Sequence, residues 1–340
     1  MGSVCITGGT GLVGNSLLRA LLSSPDVTGV ILLARDPGAA LASMAGFSAA
    51  DVAKVSVFRA DVALPGCGLS SLQQEALAQV DEVIHLAADV SLSPSLGRHD
   101  AIFRTNVDGT RHLLELVAGN ARLRRFLYAS SAYACGEVVG EVAEDWLARP
   151  SRFRNAYEES KWRAEALIRG YHETARLPFI IVRPSIVLCD DLRLIDRAKD
   201  QAIYLFLRSP AQFPAHLCSP LAELNFICVG ELVRTIMAIR SSGEIDRIYN
   251  LTCPASIAVK DILCALPVRE RLAAGAHPAH LPSAFIPYAR IEGLRWDGDN
   301  ASRIRDSHRI TPKDAAWFHD HIQDYLKTVT SHATPFPRTV

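Results

Sequence analysis

The stretch Val4-Cys5-Ile6-Thr7-Gly8-Gly9-Thr10-Gly11-Leu12-Val13-Gly14 decides the fold. An apolar run ends at Thr7 and passes at once into glycines at 8, 11 and 14, followed by apolar residues at helical spacing over 12–22. The spacing G-x-x-G-x-x-G is one residue wider than the usual dinucleotide turn G-x-G-x-x-G. Its physical demand is the same. The chain must turn tightly, bring backbone N–H groups up to a pyrophosphate and start a helix close against a sheet. The reading assigns Gly8, Gly9, Thr10, Gly11, Leu12, Val13 and Gly14 to a phosphate cradle.

Working outward, short apolar runs alternate with amphipathic stretches. Strands are expected over 4–7, 30–34, 55–59, 82–86, 126–129 and 179–182, with helices over 12–22, 69–78, 100–117 and 155–174. Strands this apolar, separated by helices, predict a parallel sheet buried on both faces, the α/β doubly wound architecture. After Pro184 strand signals thin to 224–227 and 247–251, with a helix over 231–240 and recurrent prolines. The expected division is a nucleotide-binding domain over 1–184, a smaller, partly interwoven substrate lobe over 185–331 and a loose tail over 332–340.

Composition narrows the function classes. Thirty-six Lys and Arg balance 36 Asp and Glu, and 49% of residues are hydrophobic, which excludes a disordered chain. A net charge of zero argues against nucleic acid or an anionic membrane as partner. No apolar run reaches the roughly 18–20 residues that span a bilayer. Eight cysteines lie scattered without a C-x-x-C pair, the pattern of buried free thiols, and predict a cytoplasmic protein. No metal site is expected: His319 and His321 are two residues apart, so they do not share a helix face and read as solvated.

Two further features carry chemistry. The second strand ends Leu33-Ala34-Arg35-Asp36, placing a guanidinium where an acidic residue would otherwise hold ribose hydroxyls. Arg35 suits a 2′-phosphate and predicts NADPH/NADP rather than NAD, although Asp36 adjoins it and the next basic residue along the chain is Lys54. Second, Tyr157 and Lys161 stand at i and i+4 on one helix face. A free phenol titrates near pH 10, and a neighbouring ammonium favours its ionised form, so Tyr157 can serve as a general acid toward a carbonyl that receives hydride. Ser130 and Ser131 close the preceding strand, where a sheet ligand site is expected.

With these residues the chain resembles an extended short-chain dehydrogenase/reductase over roughly residues 3–255. The resemblance rests on TGGTGLVG at 7–14, Asp61-Val62, His85-Leu86-Ala87-Ala88, Asn106-Val107-Asp108-Gly109-Thr110 and Ala129-Ser130-Ser131. Tyr157-x-x-x-Lys161 and Arg183-Pro184-Ser185-Ile186-Val187 complete it. It implies that Ser131, five residues before Gly136, orients the substrate oxygen. It implies likewise that Tyr157 passes the proton and Lys161 holds the nicotinamide ribose while lowering the phenol pKa. Asp61 and Val62 should meet the adenine; Leu86, Ala87, Ala88 and Ala129 should line the cofactor cleft. Pro184, Ser185 and Val187 should approach the nicotinamide.

Within that family the LLAR strand ending, Trp162 after Ser160-Lys161 and the FRTNVDGT segment are most similar to the thioester-reductase and fatty-acyl-CoA-reductase branch. That likeness implies reduction of an acyl thioester on CoA or an acyl carrier protein, or of the derived aldehyde. A ketone reductase or secondary-alcohol dehydrogenase with the same Ser-Tyr-Lys set is the alternative, and a nucleotide-sensing module without turnover is a third. Two departures stand out: Cys189 where a Gly commonly follows R-P-x-x-V-x, and Gly230 in place of an Asp. With the fold beginning at residue 4, the reading expects no upstream adenylation or carrier domain, and so a substrate brought by CoA or a separate carrier. Arg193, Arg197, Lys199 and Arg208 could dock an acidic carrier or a CoA phosphate, or form one solvated helix face. A helix-mediated homodimer is common among resembling enzymes.

Overall fold

A computed structural model describes residues 2–92, 95–191, 203–204, 207, 218–265 and 285–331. Thirteen strands are present among them. These are β1 (Gly2–Thr7), β2 (Val27–Ala34), β3 (Val55–Arg59), β4 (Glu82–His85), β5 (Arg125–Ala129), β6 (Gly140–Val142) and β7 (Phe179–Pro184). They continue as β8 (Ile186–Leu188), β9 (Glu223–Leu224), β10 (Phe226–Cys228), β11 (Arg247–Leu251), β12 (Ile257–Ala258) and β13 (Leu294–Trp296). Seven of them form one parallel sheet in the order β11-β7-β5-β4-β1-β2-β3. The chain leaves β1 toward β2 on one side and later returns to β4 on the other. The crevice above the carboxyl ends of β1 and β4 is therefore the topological switch point, where such sheets bind ligands.

Period-two alternation explains the two cores. Val4, Ile6, Leu32, Ile84, Leu127 and Val182 point to one face, covered by the helices Leu12–Leu22 and Val229–Ser242. Cys5, Leu33, Val83, Phe126, Tyr128 and Ile181 point to the other, covered by Gly109–Val117 and Ala156–Ala175. Leu17, Leu18 and Leu21 are fully buried, each worth about 1.5–3 kcal/mol of transfer free energy.

Several elements differ from the sequence expectation. The helix expected over 100–117 is interrupted by a wider turn at Arg104–Asp108. The expected strand over 224–227 is two short strands, β9 and β10, which pair with β12 and β8. The segment 247–251, read with the second lobe, is β11, the edge strand of the main sheet beside β7. The 332–340 tail and Arg193, Arg197, Lys199 and Arg208 lie outside the described residues.

Candidate active site

The glycine turn has the shape its sequence predicts. Gly8 has φ +71°, and a Cβ there would lie 2.7 Å from the Ala87 nitrogen. A Cβ on Gly14 would lie 2.1 Å from the Gly8 carbonyl oxygen, so the helix start packs directly on the turn. Gly11 differs: its nearest neighbour would be 3.5 Å away, leaving the outer side of the turn open. Gly11 caps Leu12–Leu22 without a side-chain hydrogen bond and the first turn carries no acidic residue. Its N–H groups and positive dipole end are left for an anion. The turn is tied to β4 through Thr7, whose hydroxyl accepts the N–H groups of Leu86 (3.2 Å) and Ala87 (3.0 Å). The same hydroxyl lies 2.7 Å from His85 Nδ1, and the other ring nitrogen lies 3.1 Å from Thr110 Oγ1. Complete burial holds His85 neutral, its pKa pushed down to about 3.

At the end of β2, Arg35 is exposed and makes no ion pair among the described residues. Asp36 does not compete with it: its carboxylate accepts the N–H of Ala39 at 3.0 Å and caps the helix Pro37–Ser43. Lys54 is remote from this corner, donating to the Leu22 carbonyl at 2.7 Å before β3 begins. The second cation here is Arg59, exposed at the end of β3 with its Cα in register with Ala34. Sequence distance hid it; strand register supplies it. Asp61, two residues on, is half-buried with its carboxylate on the Ala63 N–H at 3.0 Å. Val62 is buried against Gly109.

The Ser-Tyr-Lys residues converge at the end of β5. Ser131 is extended and accepts the Tyr133 N–H at 3.2 Å, capping the short turn Ala132–Cys135. Gly136 ends that turn at φ +68°, where a Cβ would lie 2.6 Å from the Arg152 carbonyl oxygen, which explains the S-x-x-x-x-G spacing. The helix Ala156–Ala175 begins at Asn155, whose side chain accepts the Glu158 N–H at 3.0 Å. Its first turns present Tyr157, whose phenol faces the Ser131 hydroxyl, and then Lys161, whose Nζ donates to the Ala129 carbonyl at 2.6 Å. The Lys161 ammonium stands 5.8 Å from the Tyr157 ring centroid and 4.8 Å from that of Tyr128.

Burial acts on both titrating groups. The Tyr157 phenol is pushed up to about 12 against the lowering pull of Ser131, and the Lys161 amine down to about 7, with Glu165 opposing. The sequence expectation of a lowered phenol pKa does not hold in the ligand-free protein, because desolvation by burial outweighs the lowering effect of the Ser131 hydroxyl. Beyond β7, Ser185 donates its N–H to Leu251 and its buried Oγ has no hydrogen-bond partner among the described residues. Val187 lies in β8 opposite Ile227.

The interrupted helix adds a residue the sequence reading left unassigned. Asn106 accepts the Asp89 N–H at 2.7 Å, and its amide donates to the Asp89 carbonyl and to Ser160 Oγ at 2.9 Å. It joins the loop after β4 to the Tyr157–Lys161 helix. Both departures from the family pattern are accounted for. Asp190 sets both carboxylate oxygens 3.2 Å from the Gly230 N–H, where a Cβ on residue 230 would meet Asp190 Oδ2 at 2.4 Å. The carboxylate at that helix start comes from residue 190 and residue 230 must be small. Cys189 is fully buried, its N–H on the Tyr204 hydroxyl at 2.7 Å. His321, read as solvated, is instead buried and stacked on Trp317 at 4.9 Å, while His319 is exposed. Cys5, Cys67, Cys135, Cys189, Cys228 and Cys253 are buried, Cys218 is half-buried, and these are free thiols. No cluster fit to hold a metal occurs among the described residues, and no helix among them is long and apolar enough to cross a membrane.

A glycine turn at a sheet switch point with Ser, Tyr and Lys beside it defines the extended short-chain dehydrogenase/reductases. The family described as male sterility protein, an NAD-binding family, matches residues 6–236. The chain belongs to that family of NAD(P)-dependent enzymes. It is 33% identical over 202 residues to the polyketide synthase-nonribosomal peptide synthetase ACE1 of Pyricularia oryzae, covering 57% of this chain. It is 29% identical over 239 residues to the hybrid synthetase poxE of Penicillium oxalicum, covering 68% of this chain. The matches span 5% of either synthetase. Among solved structures, the terminal R domain of the myxalamid PKS-NRPS pathway shares the fold with a TM-score of 0.79 at 21% identity, covering 97% of this chain and 90% of that one. A UDP-glucuronic acid 4-epimerase of Bacillus cereus shares it at 0.71 and 20%, covering 96% and 99%.

Proposed function

We propose that this protein is an NADPH-dependent reductase of an acyl thioester held on CoA or a carrier protein, or of the aldehyde derived from it. The observation that carries the reading is the convergence of Ser131 and Tyr157, with Lys161 one helical turn on and bonded to the Ala129 carbonyl, beside the glycine turn. The likeness to PKS-NRPS proteins favours a carrier-bound acyl group. In this reading residues 1–184 bind the nucleotide and 185–331 shape the substrate pocket.

The residues fit a dinucleotide. The Gly8–Gly14 turn is open only on its Gly11 side, where its uncapped helix N–H groups suit the pyrophosphate. Arg35 and Arg59 suit a 2′-phosphate better than a bare ribose, which favours NADPH over NAD. Asp61 and Val62 would flank the adenine, Leu86 to Ala88 and Ala129 the cleft. The unpartnered Ser185 hydroxyl would take a polar group of the nicotinamide end, with Pro184 and Val187 beside it. When bound, the cofactor supplies the hydride.

This chain's own groups then do the rest. Ser131 holds the carbonyl oxygen, and Tyr157, fully protonated at neutral pH because burial raises it, gives that oxygen its proton. The phenolate left behind is favoured by the Ser131 hydrogen bond and the nearby Lys161 ammonium. With a thioester, one hydride and one proton give a hemithioacetal, which expels the thiol and leaves the aldehyde.

The test is NADPH oxidation by purified protein with octanoyl-CoA, an octanoyl carrier protein, octanal and cyclohexanone. Turnover of either thioester is the expected result. Turnover of cyclohexanone with neither thioester consumed would overturn the thioester reading in favour of a ketone reductase.

A further inference from the structure

One buried carboxylate outside the Ser-Tyr-Lys set touches every element that set stands on. Glu165, 2% exposed, lies one turn after Lys161 on the same helix. Its Oε1 accepts from the Ser130 hydroxyl and from Arg183 Nε at 3.0 Å; its Oε2 accepts from Arg183 Nη2 at 2.7 Å. Ser130 sits between Ala129, whose carbonyl accepts from Lys161 Nζ, and Ser131, which faces the Tyr157 phenol. Arg183 immediately precedes Pro184 and Ser185. It is fully buried and its remaining donors go to the carbonyls of Ala143 (3.2 Å) and Asp145 (2.8 Å). The guanidinium is thereby satisfied and fixed, and it presents a two-pronged fork to the carboxylate.

We propose that Glu165 is a positioning residue of the reductase centre: clamped by Arg183, its side chain sets the end of β5 and the Lys161 turn in fixed relation and places an acidic group one helical turn from the Lys161 amine. The proposal rests on the reading of Ser131, Tyr157 and Lys161 as the reacting set. The groups facing Lys161 are few. His85 from β4 is neutral, Tyr128 from β5 presents its ring, and Tyr157 and Glu165 come from its own helix. Of these Glu165 is the one that opposes the effect of burial on Lys161, pulling its pKa upward. An ion pair this buried is poor evidence of stability, since well-packed apolar residues often replace one without loss. Its placement at the junction of three site elements is better explained by geometry and charge.

The test uses Ser130→Ala, Glu165→Gln and the double variant Glu165→Gln/Arg183→Met, which leaves no unpaired buried guanidinium. Two readouts are taken: the pH dependence of NADPH affinity by fluorescence, and turnover of whichever thioester or carbonyl probe the wild type reduces. Ser130→Ala should lower kcat about tenfold with KM within about threefold, since it loosens Ser131 without touching substrate. The double variant should lose NADPH affinity at a pH about one unit lower than the wild type, because Lys161 sheds its proton sooner. Wild-type kcat in folded Ser130→Ala, or an unmoved pH profile in the folded double variant, would overturn the proposal. Should the double variant not fold, Ser130→Ala decides alone. Tyr157→Phe and Lys161→Met are measured alongside: full activity in those would sink the reacting set itself, a failure distinct from that of Glu165.

Discussion

The carboxylate of Asp36 accepts the backbone N–H of Ala39 at 3.0 Å, and this bond leaves Arg35 as the unengaged charge at the end of β2. Arg35→Ala and Arg59→Ala are each expected to weaken NADPH binding about 10- to 100-fold, the worth of a charge-assisted hydrogen bond, with NADH binding held within about threefold. Asp36→Ala should cost about 1 kcal/mol of stability through the lost cap and leave cofactor preference unchanged. Titration of each variant with both cofactors checks this; equal losses for NADH and NADPH would remove the two arginines from phosphate recognition.

Lys161 makes cofactor binding depend on pH. With its pKa brought down to about 7, the ligand-free protein carries the ammonium below that pH and loses it above. NADPH affinity should therefore fall as pH rises from 7 to 9, and Lys161→Met should abolish the slope. Stability runs the other way. The unfolded chain keeps this proton up to its ordinary value of 10.5, so between about 7 and 10.5 the contribution of Lys161 to stability rises with pH. Melting temperatures of wild type and Lys161→Met at several pH values separate the two effects.

Tyr157→Phe deletes the hydroxyl that faces Ser131 while preserving the ring near Lys161. Turnover should drop about 10²- to 10⁴-fold with NADPH affinity within about threefold of wild type. Substantial residual turnover would exclude the phenol as the proton source. Ser131→Ala should cost somewhat less, because Tyr157 remains to donate.

The glycines divide by what surrounds them. Gly14→Ala forces a Cβ to within 2.1 Å of the Gly8 carbonyl, and the helix cannot shift without opening the sheet, so loss of soluble, folded protein is expected. Gly11→Ala meets nothing nearer than 3.5 Å and should fold normally, yet bind NADPH about tenfold or more weakly because the methyl enters the open side of the turn. Circular dichroism and cofactor titration together distinguish the two outcomes.

Glu144 ties the loop after β6 to β11 and to the helix Asp299–Ser307, accepting the N–H groups of Asn250, Asn300 and Ala301. Burial pushes its carboxyl up to about 7 from 4.5. Between those values the folded state holds a proton the unfolded state has lost, so this group's contribution to stability falls as pH rises from about 5 to 7. Glu144→Gln should flatten that part of the melting-temperature profile.

Much of this was legible in the residue string. A glycine turn between an apolar strand and a helix can serve few other geometries, and the apolar runs of β1, β4 and β5 could only be strands buried on both faces. The i, i+4 pairing of Tyr157 and Lys161 follows from helix pitch alone. That 247–251 pairs with β7 in the main sheet was not legible locally, because a strand's sheet partner is set by long-range register, which local composition does not carry. Arg59 was passed over for the same reason: it is 24 residues from Arg35 along the chain and one strand away across the sheet.

The sequence by itself determined the doubly wound class, the glycine turn after β1 and the shared helix face of Tyr157 and Lys161, because each depends on short-range spacing that backbone geometry converts directly into position. Only the tertiary structure decided that Asp36 is spent on a cap, that Asp190 supplies the carboxylate missing at Gly230, and that Glu165 and Arg183 close on Ser130. It also reversed the expected sign of the Tyr157 shift. Charge, burial and hydrogen-bond partnership are properties of what surrounds a residue, and those surroundings come from distant parts of the chain.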